Sequence, residues 1–469
     1  MAETEEPEES DEKGESARGL RKLAVRGSVV QFGGYIANYG LRFVSSTVLR
    51  SLLFPAAFGV MEIINGVMIG LIMLSDVGIM QAVIRSDRGD DEVFLNTAWT
   101  IHVVRGVILW TVACLIAYPT ALITDTPEVA YLIPVATVGV VGLGFHSTAE
   151  FTLRRRMQLG RVIMMEVVAQ VATVVTTITW ATIAPSVWAL VAGGLVNVAV
   201  KLVWSYYMAA HVGFFNKFAW DKSVRDEIWD FGKWITGSSA VFFASQWGDR
   251  LMLVAFLGTE VAGIYATAVM IAEAVSALFD KVIHSVFYPL FSRVGRESID
   301  ELRKVFYQTR LRFDALSMSG AGGLLVLGPW VCDLLFDDRY EAAGWMLRVL
   351  CIRSACIATF TPAETCLTSL GHSRYGFYQN VVRAIWILVG VPIGYYGWGL
   401  VGVIWVTALS GIPPYFVVWP KLRELKILRF DREALSWVFF GVGAAVGYGL
   451  LLLLPDADGI RDSLKELIR

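Results

Sequence analysis

The chain has 469 residues, of which 55% are hydrophobic and 17% charged, against about 25% charged in an average soluble domain. With a mean hydropathy of +0.57 and repeated runs of about 20 mostly apolar residues, it excludes an ordinary soluble enzyme and specifies an all-α polytopic membrane protein. The net charge of −2 leaves no global field for nucleic acid.

In chain order, residues 1–26 come first, acidic from Glu3 to Glu15 and with no apolar core of a signal peptide. They read as a disordered cytoplasmic tail. Thirteen apolar runs follow: 27–50, 57–83, 95–120, 128–151, 162–184, 186–209, 233–257, 261–290, 313–336, 343–370, 375–396, 400–420 and 434–455. They divide into an N-lobe over 27–212 (spans one to six), a cytoplasmic linker over 213–232 and a C-lobe over 233–422 (spans seven to twelve). Residues 423–469 add one more span and a short amphipathic tail from Gly459 to Arg469.

Basic residues mark alternate connections, as the positive-inside rule requires. Arg154, Arg155, Arg156 and Arg161 follow span four, Lys217, Lys222, Arg225 and Lys233 follow span six, and a run from Arg293 to Arg312 follows span eight. The intervening turns are short and nearly free of Lys and Arg, Arg339 excepted. The N-terminus is therefore predicted on the cytoplasmic side of the membrane. Thirteen spans put the C-terminus outside, whereas twelve or fourteen put it inside; both stay open.

An internal repeat is visible. Asn38-Tyr39-Gly40-Leu41-Arg42 in span one matches Gln246-Trp247-Gly248-Asp249-Arg250 in span seven, 208 positions later. Gly59 aligns with Gly263, and Leu74-Ser75-Asp76 with Leu278-Phe279-Asp280, both at an offset of 204. Duplication predicts two parallel six-helix lobes related by an axis along the membrane normal, with a cavity between them.

The chain carries no phosphate-cradling glycine loop followed by Lys and Ser or Thr, so no ATP-driven engine. No cofactor is expected, and the drive falls to a proton or sodium gradient or to consumption of the cargo on the far side. The five cysteines (Cys114, Cys332, Cys351, Cys356, Cys366) lie in apolar runs without metal-ligand spacing and read as small core residues.

The positive signal is a set of cations at membrane depth: Arg42, Arg105, Lys201, Arg250, Arg353 and Arg383. A central charge costs about 2.5–3.5 kcal/mol on the insertion scale. These residues need water, a counter-ion or an anionic ligand, and the guanidinium fork suits phosphate oxygens. Buried carboxylates supply an alternative, plain ion pairing. Asp249 and Glu273 are the candidate ion-coupling carboxylates.

The sequence resembles the Wzx-like oligosaccharide and polysaccharide flippases, within the multidrug/oligosaccharidyl-lipid/polysaccharide superfamily. The resemblance rests on Thr47-Val48-Leu49-Arg50-Ser51-Leu52-Leu53-Phe54-Pro55, Ser75-Asp76-Val77-Gly78-Ile79, Leu153-Arg154-Arg155-Arg156, Ala262-Gly263-Ile264-Tyr265 and Phe287-Tyr288-Pro289-Leu290-Phe291-Ser292-Arg293. Together with similar stretches it covers roughly 27–420. It implies a V-shaped carrier, not an enzyme, that moves an undecaprenyl-pyrophosphate-linked oligosaccharide from the cytoplasmic to the outer leaflet by alternating access, for O-antigen or exopolysaccharide. Implied partners are the lipid-linked oligosaccharide, membrane lipids, and a polysaccharide polymerase with chain-length proteins. Two rivals stay open: a cation-coupled exporter of small organic molecules, and an integral-membrane glycosyl- or acyltransferase.

Overall fold

A computed structural model describes residues 33–455. The acidic tail and the predicted amphipathic segment from Gly459 to Arg469 lie outside the described residues. All regular structure among the described residues is helical. Helix α1 covers 33–52. It is followed by α2 (Pro55–Leu74), α3 (Ile79–Arg85), α4 (Glu92–Ile123), α5 (Val129–Gly144), α6 (Ala149–Arg155), α7 (Leu159–Ile183) and α8 (Val187–Val212). The second part holds α9 (Lys222–Val282), α10 (Tyr288–Glu297), α11 (Ile299–Leu335), α12 (Glu341–Ser369), α13 (Arg374–Leu409), α14 (Tyr415–Glu424) and α15 (Phe430–Leu451). Among the described residues nine helices are long and apolar enough to cross a membrane, or ten when α5 and α6, bent by 59°, count as one broken span.

Local chemistry sets the ends. Pro55 opens α2, where its missing N–H costs nothing. Asp91 and Asp221 cap α4 and α9 by accepting from the Val93 and Val224 amides. Ser298 caps α11 ahead of Asp300 and Glu301, which favour the positive end of the helix dipole.

Two of the long helices are hairpins. In α9 the backbone leaves helical geometry at Gly258 (φ 82°, ψ 173°), and in α13 at Gly399 (φ 60°, ψ −140°). These conformations belong almost to glycine alone. The legs then fold back on each other: the Tyr265 hydroxyl donates to Asp249 Oδ2 at 2.7 Å, and Trp386 Nε1 to the Val406 carbonyl at 2.9 Å. The turns separating spans seven from eight and eleven from twelve thus shrink to single glycines.

Three predicted boundaries are corrected. The run 57–83 is not one helix. It breaks after Leu74, where Asp76 Oδ1 accepts from the Gly78 amide and starts α3. The run 128–151 bends between α5 and α6. The basic stretch from Arg293 to Arg312, read as a connection, is helical in α10 and α11. Arg310 lies 1% exposed inside it. It meets both carboxylate oxygens of Glu433 at 2.5 and 2.7 Å and Asp314 Oδ2 at 2.9 Å. This buried cluster fastens α15 to α11.

The main apolar core joins α2, α5, α9, α12 and α13 through residues such as Ile63, Leu132, Leu253, Leu347 and Ile404. A second core, with Phe291, Phe306, Leu367 and Leu422, packs α10, α11, α12 and α14. Outward faces stay apolar: Leu115, Ile183 and Val203 are each about 70% exposed or more, which is what lipid contact requires.

Candidate functional site

The buried cations gather around three cavities. The largest, about 980 Å³, is lined by α1, α2, α7, α8 and α9 and carries Arg42, Arg50, Lys201, Arg250, Glu62 and Glu273 on its wall. Its remaining polar lining is the Arg154–Glu166 pair together with amides and hydroxyls, including Asn38, Asn65, Gln170, Asn197, Thr173 and Thr177. The second, about 580 Å³, lies among α9, α12 and α13 and is lined by Arg250, Arg353, Arg383, Gln379, Asn380 and Trp247, among others. The two share Arg250, Val269 and Glu273. The third, about 330 Å³, holds His102, Arg105, His146, Glu150, Glu166 and Lys201.

Arg250 stands at the junction of the two larger cavities. Its guanidinium lies 3.6 Å from Glu62 Oε2 and 3.3 Å from Glu273, with its carbon 4.8 Å from the centre of the Trp247 ring. Asp249, its sequence neighbour, accepts only its backbone amide at 3.0 Å. The Asp249 carboxylate is 1% exposed and turns instead to Tyr265 and to Arg353 Nη1, at 2.7 and 3.1 Å. Arg353 also approaches Glu273 at 4.0 Å. Glu273 keeps 47% of its side chain exposed, facing both cavities, whereas Asp249 is sealed.

The remaining predicted cations differ in their holding. Arg42 lines the large cavity with Arg250, is exposed, and reaches no carboxylate at ion-pair distance among the described residues. Lys201 lies between the large and the small cavity. Arg105 faces the small cavity while donating to Ser75 Oγ at 3.0 Å and the Ile72 carbonyl at 2.6 Å, so it also caps the end of α2. Arg383 lines the second cavity with Nε and Nη2 buried and without a hydrogen-bond partner.

One lining cation escaped the sequence reading. Arg50 is 4% exposed, donates from Nε to Thr267 Oγ1 at 2.7 Å, and sits 4.5 Å from the centre of the Phe58 ring. Its place at the end of an apolar run, where a cation ordinarily marks the membrane boundary, hid it; its partners are 217 residues away or on the next helix. The basic cluster after span four is largely spoken for: Arg154 pairs with Glu150 and Glu166, and Arg155 and Arg156 with Asp90. Arg155 also donates to the Val83 and Ile84 carbonyls at the end of α3.

Chemically, the cavities set guanidiniums from several helices beside carboxylates, Glu62, Glu166, Glu273, Asp280 and Glu364 among them, with amides and hydroxyls between, which are donors and acceptors for a polar or anionic ligand.

Comparison with known proteins follows the same line. A profile of a family described as polysaccharide biosynthesis protein matches residues 48–344. The chain is 22% identical over 406 residues to the lipopolysaccharide biosynthesis protein WzxC of Escherichia coli (strain K12), across 85% of this chain and 81% of that one. It is 20% identical over 388 residues to the succinoglycan biosynthesis transport protein ExoT of Rhizobium meliloti (strain 1021), across 82% and 77%. Among solved structures, the lipid II flippase MurJ in an inward closed conformation superposes with a TM-score of 0.68 at 10% identity, over 95% of this chain and 100% of that one. An inward-facing multidrug resistance MATE family transporter gives 0.63 at 13%, over 85% and 99%. At such identities the structural likeness speaks for the fold.

Proposed function

This chain belongs to the polysaccharide biosynthesis protein family, and from that premise we propose that it translocates a lipid-linked oligosaccharide, carried on undecaprenyl pyrophosphate, from the cytoplasmic to the outer leaflet. The coarser statement, a multi-pass transporter of polysaccharide biosynthesis, needs no proposal.

The single observation that carries the finer reading is the large cavity: Arg42, Arg50, Lys201 and Arg250 on one wall system, with Arg42 unpaired among the described residues. A pyrophosphate would take Arg42 and Arg250 from two sides, and the amide and hydroxyl lining would replace water around the first sugars. The polyprenyl chain stays in lipid, where it loses nothing. The same wall repels the positively charged cargo of a drug exporter.

Alternating access between two lobes would move the cargo. Glu273, exposed between Arg250 and Arg353, is the acid placed to exchange a proton or sodium ion as Arg250 takes up phosphate; Asp249 would follow only if its pairing opened. The cytoplasmic N-terminus and the partner polymerase with chain-length proteins belong to this proposal as well.

The test is reconstitution. Proteoliposomes carrying a fluorescent undecaprenyl-pyrophosphate saccharide should expose it to an external quencher without ATP, at a rate changed by an imposed proton or sodium gradient. No exposure above protein-free vesicles, or strict dependence on ATP, overturns the reading.

A further inference from the structure

The second cavity holds more positive donors than the pyrophosphate reading uses. Around it, Arg250 Nε, Arg353 Nε, and Arg383 Nε and Nη2 are all buried without an acceptor. Arg250 and Arg353 each have a carboxylate at 3.3 Å or closer, Glu273 and Asp249 respectively. Arg383 has none among the described residues. A buried guanidinium with empty donors costs several kcal/mol unless something fills them, and the cavity beside it is about 580 Å³.

What fills it is constrained by the rest of the wall. Gln379 offers an amide that both donates and accepts, while the Asn380 amide is engaged, its Oδ1 accepting from Ser245 and its Nδ2 donating to the Gly376 carbonyl. Trp247, with the Arg250 guanidinium over its ring, and Phe360 add apolar ring surface, and the carboxylates of Glu273, Asp280 and Glu364 complete the wall. Apolar ring surface, the Gln379 amide, the half-exposed Glu273 carboxylate and one guanidinium without a counter-ion match a pyranose bearing a carboxylate: ring C–H groups on the rings, hydroxyls on Gln379 and Glu273, the carboxylate on the Arg383 fork. A bare phosphate would use the fork and leave the Gln379 amide and the rings idle.

We propose that the α9–α12–α13 cavity is a subsite for an acidic sugar of the glycan, with Arg383 holding its carboxylate while the pyrophosphate occupies the larger cavity. This rests on the transport reading above, and it makes Arg383 a specificity residue.

Two measurements test it. In the vesicle assay, wild-type protein and Arg383→Gln are each given two cargos on the same lipid pyrophosphate, one with a glucuronate-containing glycan and one with a neutral glycan. Arg383→Gln should lower the acidic-to-neutral rate ratio by about tenfold or more, and Arg383→Lys should recover part of it. An unchanged ratio in Arg383→Gln overturns the subsite. Separately, saturation-transfer NMR on the purified full-length protein should show a saturable signal for sodium glucuronate, absent for glucose and lost in Arg383→Gln. Equal signals in wild type and Arg383→Gln, or displacement by inorganic pyrophosphate as readily as by glucuronate, also overturn it. The NMR result decides the subsite even where no cargo is translocated, an outcome that would sink the transport reading alone.

Discussion

Gly59 and Gly263 meet backbone to backbone where α2 crosses the second leg of α9, and they do so reciprocally. A β-carbon on Gly59 would lie 1.8 Å from the Thr259 carbonyl oxygen, and one on Gly263 would lie 1.8 Å from that of Pro55. Thr259 precedes Gly263 by four residues, as Pro55 precedes Gly59. Each glycine therefore faces the other's partner, the pattern of a contact with a local two-fold axis. The sequence aligns the same two glycines at an offset of 204.

Gly59→Ala and Gly263→Ala should each destabilise the protein by roughly 1–3 kcal/mol, since backbone and not a movable side chain blocks the methyl group. Their effects should be alike and less than additive when combined. Thermal melting in detergent, followed by size-exclusion chromatography, measures this. Gly441→Ala, with open space around it, is the control.

Arg42 and Arg250 should separate on folding. Arg250→Ala strips the buried Glu62 of its cation, at a cost on the order of 3 kcal/mol, so folded yield should fall together with transport. Arg250→Ala with Glu62→Gln should recover yield but not transport. Arg42→Ala should insert at normal levels and still lose transport. Normal transport by Arg42→Ala removes that residue from the cargo site.

The Arg310–Glu433 cluster gives a stability experiment independent of transport. Either Arg310→Ala or Glu433→Ala leaves a buried charge unmatched and should cost about 3–5 kcal/mol, whereas the apolar pair Arg310→Met with Glu433→Leu should recover most of it. Limited proteolysis at residues 425–429, between α14 and α15, should rise in the single variants and return in the pair.

For orientation, Pro127→Cys and Lys222→Cys are placed at exposed ends of connections that the distribution of basic residues predicts on opposite sides. With the five native cysteines replaced, an impermeant thiol reagent added to intact cells should label the first and not the second. The reverse pattern inverts the transport direction.

The long helices were legible because each carries an apolar run long enough to span lipid, and cations inside such runs stood out; the short α3, α6, α10 and α14 were absorbed into neighbouring spans or connections. All six predicted cations do line cavities. What the sequence hid was pairing over distance. Arg310 looked like loop charge because its neighbours are basic, yet Glu433, 123 residues on, draws it into the core. Arg50 looked like a membrane boundary until Thr267 and Phe58 closed over it. Asp249 and Arg250 look like a local pair, but adjacent helical residues point apart, and their charges go to Arg353, Glu62 and Glu273.

The single-residue turns at Gly258 and Gly399 leave no slack between the legs they join. Neither leg can slide along its mate without tearing the Asp249–Tyr265 or Trp386–Val406 tie, so each hairpin behaves as one lever with a fixed head. If the proposed alternating access operates, a displacement at one end of a hairpin would be carried to the other, and the stroke would be set by the angle through which the paired legs tilt.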